Sequence, residues 1–470
     1  MLRFFNSLSR KEEEFKTLED GKVRMYTCGP TVWDNAHIGN FRAFVFADLI
    51  KRYLRYRGYE VVHVLNITDV EDKILRRVRE DGVNLRQLTE EYTASFFDDL
   101  RKLNVDEANE YPRATEHIEE MIHLIQTLID KGLAYERDGS VYYAIGKFAD
   151  YGELAHLDME GMEDGISVDS DEYDRDSVRD FALWKAWMES DGEVFWEAPF
   201  GRGRPGWHIE CSAMSMKYLG ETFDIHTGGV DLIFPHHQNE IAQSEGATGK
   251  SFVRYWMHNE FLNIDSEKMS KSKGNYYRLE NIAQRPEDFK AYRYLLVSHH
   301  YRKTMNFSFD NLEWAKTNLR RLNRFKDQLE KVDAEREGGD WTAQIERTRQ
   351  GFCQYLDDDL NAPGAVGAVF GLVNEAENAL NTRAMGAKGA QMLLDFLAEI
   401  NQVLGIFYDL DEDADTPAEL PAELQQLLQE RREARAAKDW ARSDELRDQL
   451  AEAGVQVKDT PEGMEWSWAE

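Results

Sequence analysis

Cys28-Gly-Pro-Thr-Val-Trp-Asp-Asn-Ala-His-Ile-Gly-Asn40 follows a short β-branched and aromatic run, Val23 to Thr27, and precedes an apolar-periodic segment, Phe41 to Tyr56, that Gly58 closes. The pattern predicts a strand, a tight turn and a helix. At such a junction the free N–H groups of the first helical turn and the positive end of the helix dipole face the space beyond the strand, which favours an anion such as phosphate. His37 and Asn40 stand where that helix begins. The motif alone is common in α/β proteins and is usually only structural. Its functional reading therefore rests on what recurs later in the chain.

Working outward, Tyr59 to Asp69 reads as a second buried strand. This makes a β-α-β unit, and hence a parallel sheet with crossover helices. Ligands of such sheets lie beyond the carboxyl ends of the strands, where Cys28 and Thr68 both fall. Helical periodicity runs from Val70 to about Ala134, and the region of Gly139 and Val141 reads as a hairpin. His156 to Asp180 is acidic with weak periodicity, an exposed part of an insertion that interrupts the sheet. The alternating order returns near Trp184. Arg202 to Cys211 is a turn entering a helix, Phe223 to Gly229 a strand, Pro235 the start of another helix, and Tyr255 to Ile264 a further strand. After Asn275 the pattern is almost wholly helical to Tyr408. Asp409 to Glu423, acidic with Pro417 and Pro421, reads as a linker. A helix from about Leu424 to Ala453, stopped by Gly454, and a Val455 to Asp459 strand make a small terminal unit.

Composition bounds the function. A chain of 470 residues, 42% hydrophobic, can bury large cores and suggests about two to four domains. The formal net charge of −31 argues against a protein that coats DNA, because phosphate neutralisation needs clustered Lys and Arg; it leaves room for a local basic groove. Three scattered cysteines, Cys28, Cys211 and Cys353, do not make a disulfide framework, so a reducing cytoplasm is expected. Met1 to Phe15 turns charged before any signal-like core develops, and no segment is apolar for long enough to span a bilayer.

Two constellations carry chemistry. Cys28, Cys211, His236 and Glu240 are all zinc-ligand types, and the last two lie one helical turn apart, so both can point at one ion. His237, three residues from Glu240, is an alternative partner. The spacing is not a standard short zinc signature, and isolated cysteines are common core residues; a metal site and a pair of buried thiols beside a helix-start histidine both remain open. The second constellation, Lys268-Met-Ser-Lys-Ser-Lys-Gly274, is a basic, glycine-ended loop directly after a strand. Two ammonium groups on such a loop suit transient neutralisation of a polyphosphate leaving group. A solvated loop is the plainer alternative.

Together these segments resemble the two signatures of the class I aminoacyl-tRNA synthetases: Ala36-His-Ile-Gly-Asn40, with Asn40 in place of the usual final histidine, and Lys268-Met-Ser-Lys-Ser272 without a mismatch. Within that class the chain is similar to the cysteinyl-tRNA synthetase family. Tyr26-Thr-Cys-Gly-Pro-Thr-Val32, Gly203-Arg-Pro-Gly-Trp-His-Ile-Glu-Cys-Ser-Ala-Met214, Gly228-Gly-Val-Asp-Leu-Ile-Phe-Pro-His-His-Gln-Asn-Glu240 and Met257-His-Asn259 carry the likeness. It implies an α/β fold: a Rossmann-like parallel-sheet catalytic core in two halves, 1–114 and 201–310, with a connective insertion over 115–200. An all-α helical bundle over 311–408, a linker over 409–423 and a small α+β anticodon-binding domain over 424–470 follow.

The resemblance further implies that Cys28, Cys211, His236 and Glu240 hold one zinc ion that binds the substrate thiolate. Zinc prefers sulfur to oxygen, so cysteine is separated from serine without an editing domain. Four ligands plus substrate exceed the usual catalytic pattern, making Glu240 or His236 the candidate for a long or displaced ligand. Gly29, Thr68, Trp207 and Asp231 are expected in the amino-acid pocket, with Asp231 facing the substrate ammonium; His37, Asn40, Lys268 and Lys271 are expected around the phosphates of ATP, with Mg2+ accompanying the nucleotide. L-cysteine, ATP and tRNA-Cys are the implied partners of a cytoplasmic monomer.

Arg432, Arg435 and Trp466 are candidates for anticodon contacts, since splayed bases favour stacking and arginine edges. The chain departs from the family where Gly463-Met-Glu-Trp-Ser467 replaces a terminal arginine, and where Gly165-Ile-Ser-Val-Asp-Ser-Asp-Glu172 lacks basic residues. A mycothiol-pathway cysteine ligase, a noncatalytic tRNA-binding paralogue and a zinc hydrolase are the alternatives. The long C-terminal half, the intact lysine pair and the second signature argue against them in turn.

Overall fold

A computed structural model describes residues 1–157, 180–264, 267–269, 275–410, 422–436, 439–452, 455–460 and 463–468. The chain forms two compact units, Met1–Tyr408 and Asp409–Glu470. At the centre of the first is a four-stranded sheet in the order Val253–Asn259, Phe223–Gly229, Lys22–Thr27, Glu60–Leu65. All three pairings are parallel, and Thr27 is level with both Thr227 and Leu65. The strands therefore end together. From Lys22–Thr27 the chain crosses through the helix Ile38–Tyr56 to Glu60–Leu65 on one side, while Phe223–Gly229 adds on the other. Cys28 thus leaves the sheet at the point where strand order reverses, the usual place for a ligand crevice in such sheets.

The helix begins three residues before the apolar periodicity does, because His37 caps it. The Asn40 backbone N–H donates to His37 Nδ1 at 3.3 Å, and the His37 N–H donates to Asn40 Oδ1 at 3.0 Å. This reciprocal pair satisfies two donors that the helix end would otherwise orphan. Ile38, Phe41 and Val45 then bury the inner face. Gly58, at φ +91°, supplies the left-handed residue that ends the crossover.

Elsewhere the elements are shorter or more numerous than the sequence pattern predicts. The hairpin Ala134–Arg137 with Ser140–Tyr143 extends through Phe181–Ala186 and Gly203–Pro205 into a four-stranded antiparallel sheet. The acidic stretch that includes Gly165 to Glu172 lies outside the described residues. The expected strand Tyr255 to Ile264 is two elements. Val253–Asn259 belongs to the parallel sheet, whereas Leu262–Ile264 pairs with Glu267–Lys268 and with Met305–Phe307. A three-residue strand inside helical surroundings is too short for periodicity to reveal. The N-terminal hairpin Arg3–Asn6 with Lys11–Glu14 was likewise hidden, because Lys-Glu-Glu-Glu has no apolar alternation.

Four helices, Phe309–Glu330, Thr342–Asp357, Ala362–Asn381 and Ala387–Leu404, complete the first unit. In the second, the single expected helix is two, Ala422–Ala436 and Trp440–Glu452, and the expected strand is a hairpin, Val455–Thr460 with Gly463–Trp468. Gly454, Pro417 and Pro421 lie outside the described residues. Among the described residues no helix is long and apolar enough to cross a membrane.

One buried ion pair ties several of these parts together. Arg293, in the helix Pro286–Val297, donates to Asp48 Oδ2 at 2.6 Å and to the carbonyls of Leu103, Asn104 and Leu404 at 2.8–3.0 Å. Asp48 also receives Arg52 Nε at 2.8 Å. Burial would raise the Asp48 pKa, but Arg293 and Arg52 outweigh it and hold the carboxyl below its ordinary value. A group with a depressed folded pKa stabilises the fold above its unfolded pKa and loses that contribution as pH falls through the folded one. Arg293→Met is therefore expected to cost about 3 kcal/mol or more, since it strands a buried charge and three carbonyls. Thermal unfolding should show the loss at neutral pH and a smaller loss in acid below about pH 4; an unchanged midpoint would contradict this account of the tie.

Candidate metal centre and nucleotide site

Four segments at the carboxyl edge of the sheet bring the candidate ligands together. Cys28 directly follows its strand, Cys211 lies in the helix Trp207–Leu219, His236 in the turn Ile233–His237, and Glu240 in the helix Gln238–Thr248. Their donor atoms all lie within 4.8 Å of one another. The two sulfurs are 3.8 Å apart, Cys28 Sγ is 3.7 Å from Glu240 Oε1, and His236 Nε2 is 3.1 Å from the same oxygen. A second group, Cys28, His226, His237 and Glu240, meets the same condition. His226 Nε2 is 2.9 Å from Glu240 Oε2, and His237 Nε2 is 3.3 Å from Cys28 Sγ. His237 is the alternative partner that its spacing from Glu240 suggests, whereas no spacing points to His226. The clue to it is a histidine inside the otherwise closed core strand Phe223–Gly229.

Burial and charge act against each other here. Burial alone would raise the Glu240 pKa, yet His226 and His236 hold it down at about 2. His236 would be lowered by burial, but Cys211 and Glu240 push it up to about 10. Burial, then Cys211 and Glu240, push the Cys28 thiol well up, whereas the Cys28 hydrogen bond and His236 outweigh burial and bring Cys211 to about 6. Burial and the surrounding histidines keep His237 neutral, far below its ordinary value. The centre is thus a closely packed set of soft and borderline donors with an excess of anionic character, which is the donor chemistry that fits a divalent zinc-type cation.

Around this centre lie the other pocket candidates. The Gly29 N–H donates to Asn66 Oδ1 at 2.9 Å, and a Cβ on Gly29 would stand 1.6 Å from the Asn66 carbonyl oxygen, so no larger residue fits that backbone. Thr68 is buried; its hydroxyl donates to Glu210 Oε2 at 3.1 Å and accepts from Asn66 Nδ2 at 3.2 Å. Trp207 is half-buried and packs its ring 4.2 Å from that of His236, which makes it a wall of the centre. Asp231 is exposed, in the turn Val230–Leu232. Asn66, which holds Gly29 and Thr68, lies in none of the quoted motifs, and Glu210, which holds Thr68, lies within Gly203 to Met214 without having been a site candidate.

The first signature meets the segment that follows the second. The Ile38 N–H donates to the Tyr277 carbonyl at 2.9 Å, His37 bridges to Arg278, and the His37 ring lies 5.3 Å from that of Tyr276. Asn40 is exposed on the first turn of its helix. The Lys268 backbone pairs with Asn263, while Lys271 lies outside the described residues. In the second unit, Arg432 is exposed and Arg435 half-buried on the helix Ala422–Ala436, and Trp466 pairs with Val457.

Comparison with known proteins identifies the family. Residues 14–317 match the class I (C) tRNA synthetase catalytic domain, 351–408 the DALR domain and 418–466 the cysteinyl-tRNA ligase anticodon binding domain. A cysteine–tRNA ligase of Brachyspira hyodysenteriae is 43% identical over 469 residues, covering 98% of each chain. One from Solibacter usitatus is 44% identical over 466 residues, covering 99% of each. In fold, the methionyl-tRNA synthetase of Mycobacterium tuberculosis solved with methionyl-adenylate superposes with a TM-score of 0.59 at 16% identity, over 82% of this chain and 88% of that one. The chain belongs to the cysteine–tRNA ligase family of class I aminoacyl-tRNA synthetases.

Proposed function

We propose that this chain activates L-cysteine with ATP and transfers it to the 3′ end of tRNA-Cys, acting as a cytoplasmic monomer. The observation that carries the reading is the convergence of Cys28, Cys211, His236 and Glu240 where strand order reverses. These four residues would hold one zinc ion. Bound there, zinc would supply a Lewis acid whose preference for sulfur would favour a cysteine thiolate over the serine hydroxyl. The chain's own residues do the rest. Trp207 and the Gly29 backbone shape the pocket, Thr68 is held in place by Glu210 and Asn66, and the exposed carboxylate of Asp231 draws the substrate ammonium.

His37 and Asn40 stand at a helix N-terminus, where the positive end of the helix dipole favours the ATP phosphates. A cysteine carboxylate oxygen attacks the α-phosphorus, the bond to the bridging oxygen breaks, and pyrophosphate leaves with Mg2+; Lys268 and Lys271 neutralise the charge that develops. The carboxylate is already ionised, so positioning and charge suffice without a general base. The 2′-hydroxyl of the terminal tRNA adenosine then attacks the aminoacyl carbonyl and AMP leaves. Arg432, Arg435 and Trp466 contact the anticodon, an assignment supported by the match of 418–466 to an anticodon-binding domain. That match also weighs against an amino-sugar ligase, which has no anticodon to read.

Three measurements test this. Cysteine should be charged onto a tRNA-Cys transcript and charging should fall when the anticodon is changed; pyrophosphate exchange without charging would move the reading to the amino-sugar ligase, and absence of both to a noncatalytic tRNA-binding protein. Cys28→Ser should fold with the far-UV spectrum of the parent yet retain little zinc by elemental analysis, so normal zinc content would remove Cys28 from the ligand set. Gly29→Ala forces the turn away from Asn66 by more than about an ångström, a displacement expected to cost about 100-fold or more in kcat/KM for cysteine. Unchanged kinetics in that variant would show that the turn is not part of the pocket.

A further inference from the structure

Asp34 and Arg278 lie in neither signature, and the reaction outlined above makes no use of them. Arg278 donates through Nη2 to Asp34 Oδ1 at 2.8 Å, and the Asn35 N–H donates to the same oxygen at 2.9 Å. The Asp34 side chain is only 8% exposed although Arg278 is 34% exposed, so the carboxylate is committed inward while its partner reaches it from the surface. Arg278 is itself anchored: its N–H donates to Asn281 Oδ1 at 2.7 Å, and Nη1 lies 3.5 Å from Glu280. The pair therefore joins the turn just before the His37 cap to the segment that leaves the lysine-rich loop, two stretches more than 200 residues apart in the chain.

The cysteine side of the same turn is held by other bonds. Cys28 N–H donates to the Thr227 carbonyl, Gly29 N–H to Asn66, Val32 N–H to the Thr68 carbonyl, and Thr68 N–H to the Pro30 carbonyl. Residues 28–32 are thus fixed to the sheet, and 33–37 are fixed to the segment after the second signature. We infer that Asp34 and Arg278 form a positioning pair for the nucleotide: they set His37 and the helix N-terminus against Tyr276–Arg278, and act on ATP without acting on cysteine. Arg278 is about a third exposed, and an ion pair open to solvent on one side adds little to global stability, so its effect is expected in geometry. The inference rests on the proposed synthetase activity.

The test is a double-mutant cycle in cysteine-dependent pyrophosphate exchange, run on the full chain with D34N, R278Q and the double variant, beside R278K. Each single variant should lower kcat/KM for ATP about 10–100-fold, leave the KM for cysteine where it was, and keep the parental unfolding midpoint. The double variant should be no worse than either single one, because both remove the same contact; R278K, which keeps the charge, should recover part of the loss. Additive losses, an equal rise in both KM values, or no change would overturn the pair's role. If D34N fails to fold, R278Q against R278K carries the comparison from the surface side. A parent chain without cysteine-dependent exchange would instead overturn the proposed activity, and calorimetric ATP affinities of the same variants would then decide on the pair by the same criterion.

Discussion

Glu240 is completely buried, and a carboxylate can remain ionised there only if cations or strong donors reach it. His226 approaches one of its oxygens at 2.9 Å and His236 the other at 3.1 Å. That single requirement arranges the centre of the molecule. It fixes the strand Phe223–Gly229 beside Lys22–Thr27, because His226 must point at Glu240 while Thr27 and Thr227 stay level. It fixes the turn Ile233–His237, which must deliver His236 to one side and His237 to the other. Both thiols then fall within reach of the same oxygen pair. The layered rings of Trp256 on His226 and Trp207 on His236, at 4.6 and 4.2 Å, hold the imidazoles in orientation and keep water from competing for them.

The remainder of the first unit is organised to keep this centre and the N-terminus of the helix Ile38–Tyr56 in one frame. The parallel strands end at one level, so the turns that follow them open on a common crevice. Gly29 lies so close to the Asn66 carbonyl that the turn after the first strand has one available path. The helix that begins at His37 carries Asp48 on its buried face, and through Arg293 that face is tied to the helix after the second signature and to the end of the helix Ala387–Leu404. Parts far apart in sequence are thereby connected through buried polar groups that cannot shift independently without leaving a charge unpaired.

Much of this was legible in the sequence, for reasons that differ from element to element. The β-α-β unit around Cys28 was readable because its strands are rich in β-branched and aromatic residues and its helix keeps a regular period over nineteen residues. The four candidate ligands were recognised as donor types, but Cys…Cys…His-x-x-x-Glu spacing alone could not separate a metal centre from buried thiols; the family resemblance made that choice, and the geometry is consistent with it. What stayed hidden was set by tertiary contacts. Met305–Phe307 is a strand because Leu262–Ile264 offers it an edge, and the hairpin at Gly139 is half of a sheet whose other half begins only at Phe181. His226, Asn66 and Glu210 matter through what they touch, and pairwise touch leaves no periodic trace. Asp34 and Arg278 are of the same kind: neither is unusual locally, and only the folded chain places them 2.8 Å apart.

The account stands or falls on whether the buried cluster reads the sulfur of its substrate. The most direct measurement is equilibrium binding of L-cysteine and of L-serine, by calorimetry, to the zinc-loaded chain and to the chain stripped by a chelator. The account predicts strong binding of cysteine to the loaded chain, weak binding of serine, and loss of the difference once zinc is removed. Equal affinities for the two amino acids, or cysteine binding that survives stripping unchanged, would contradict it.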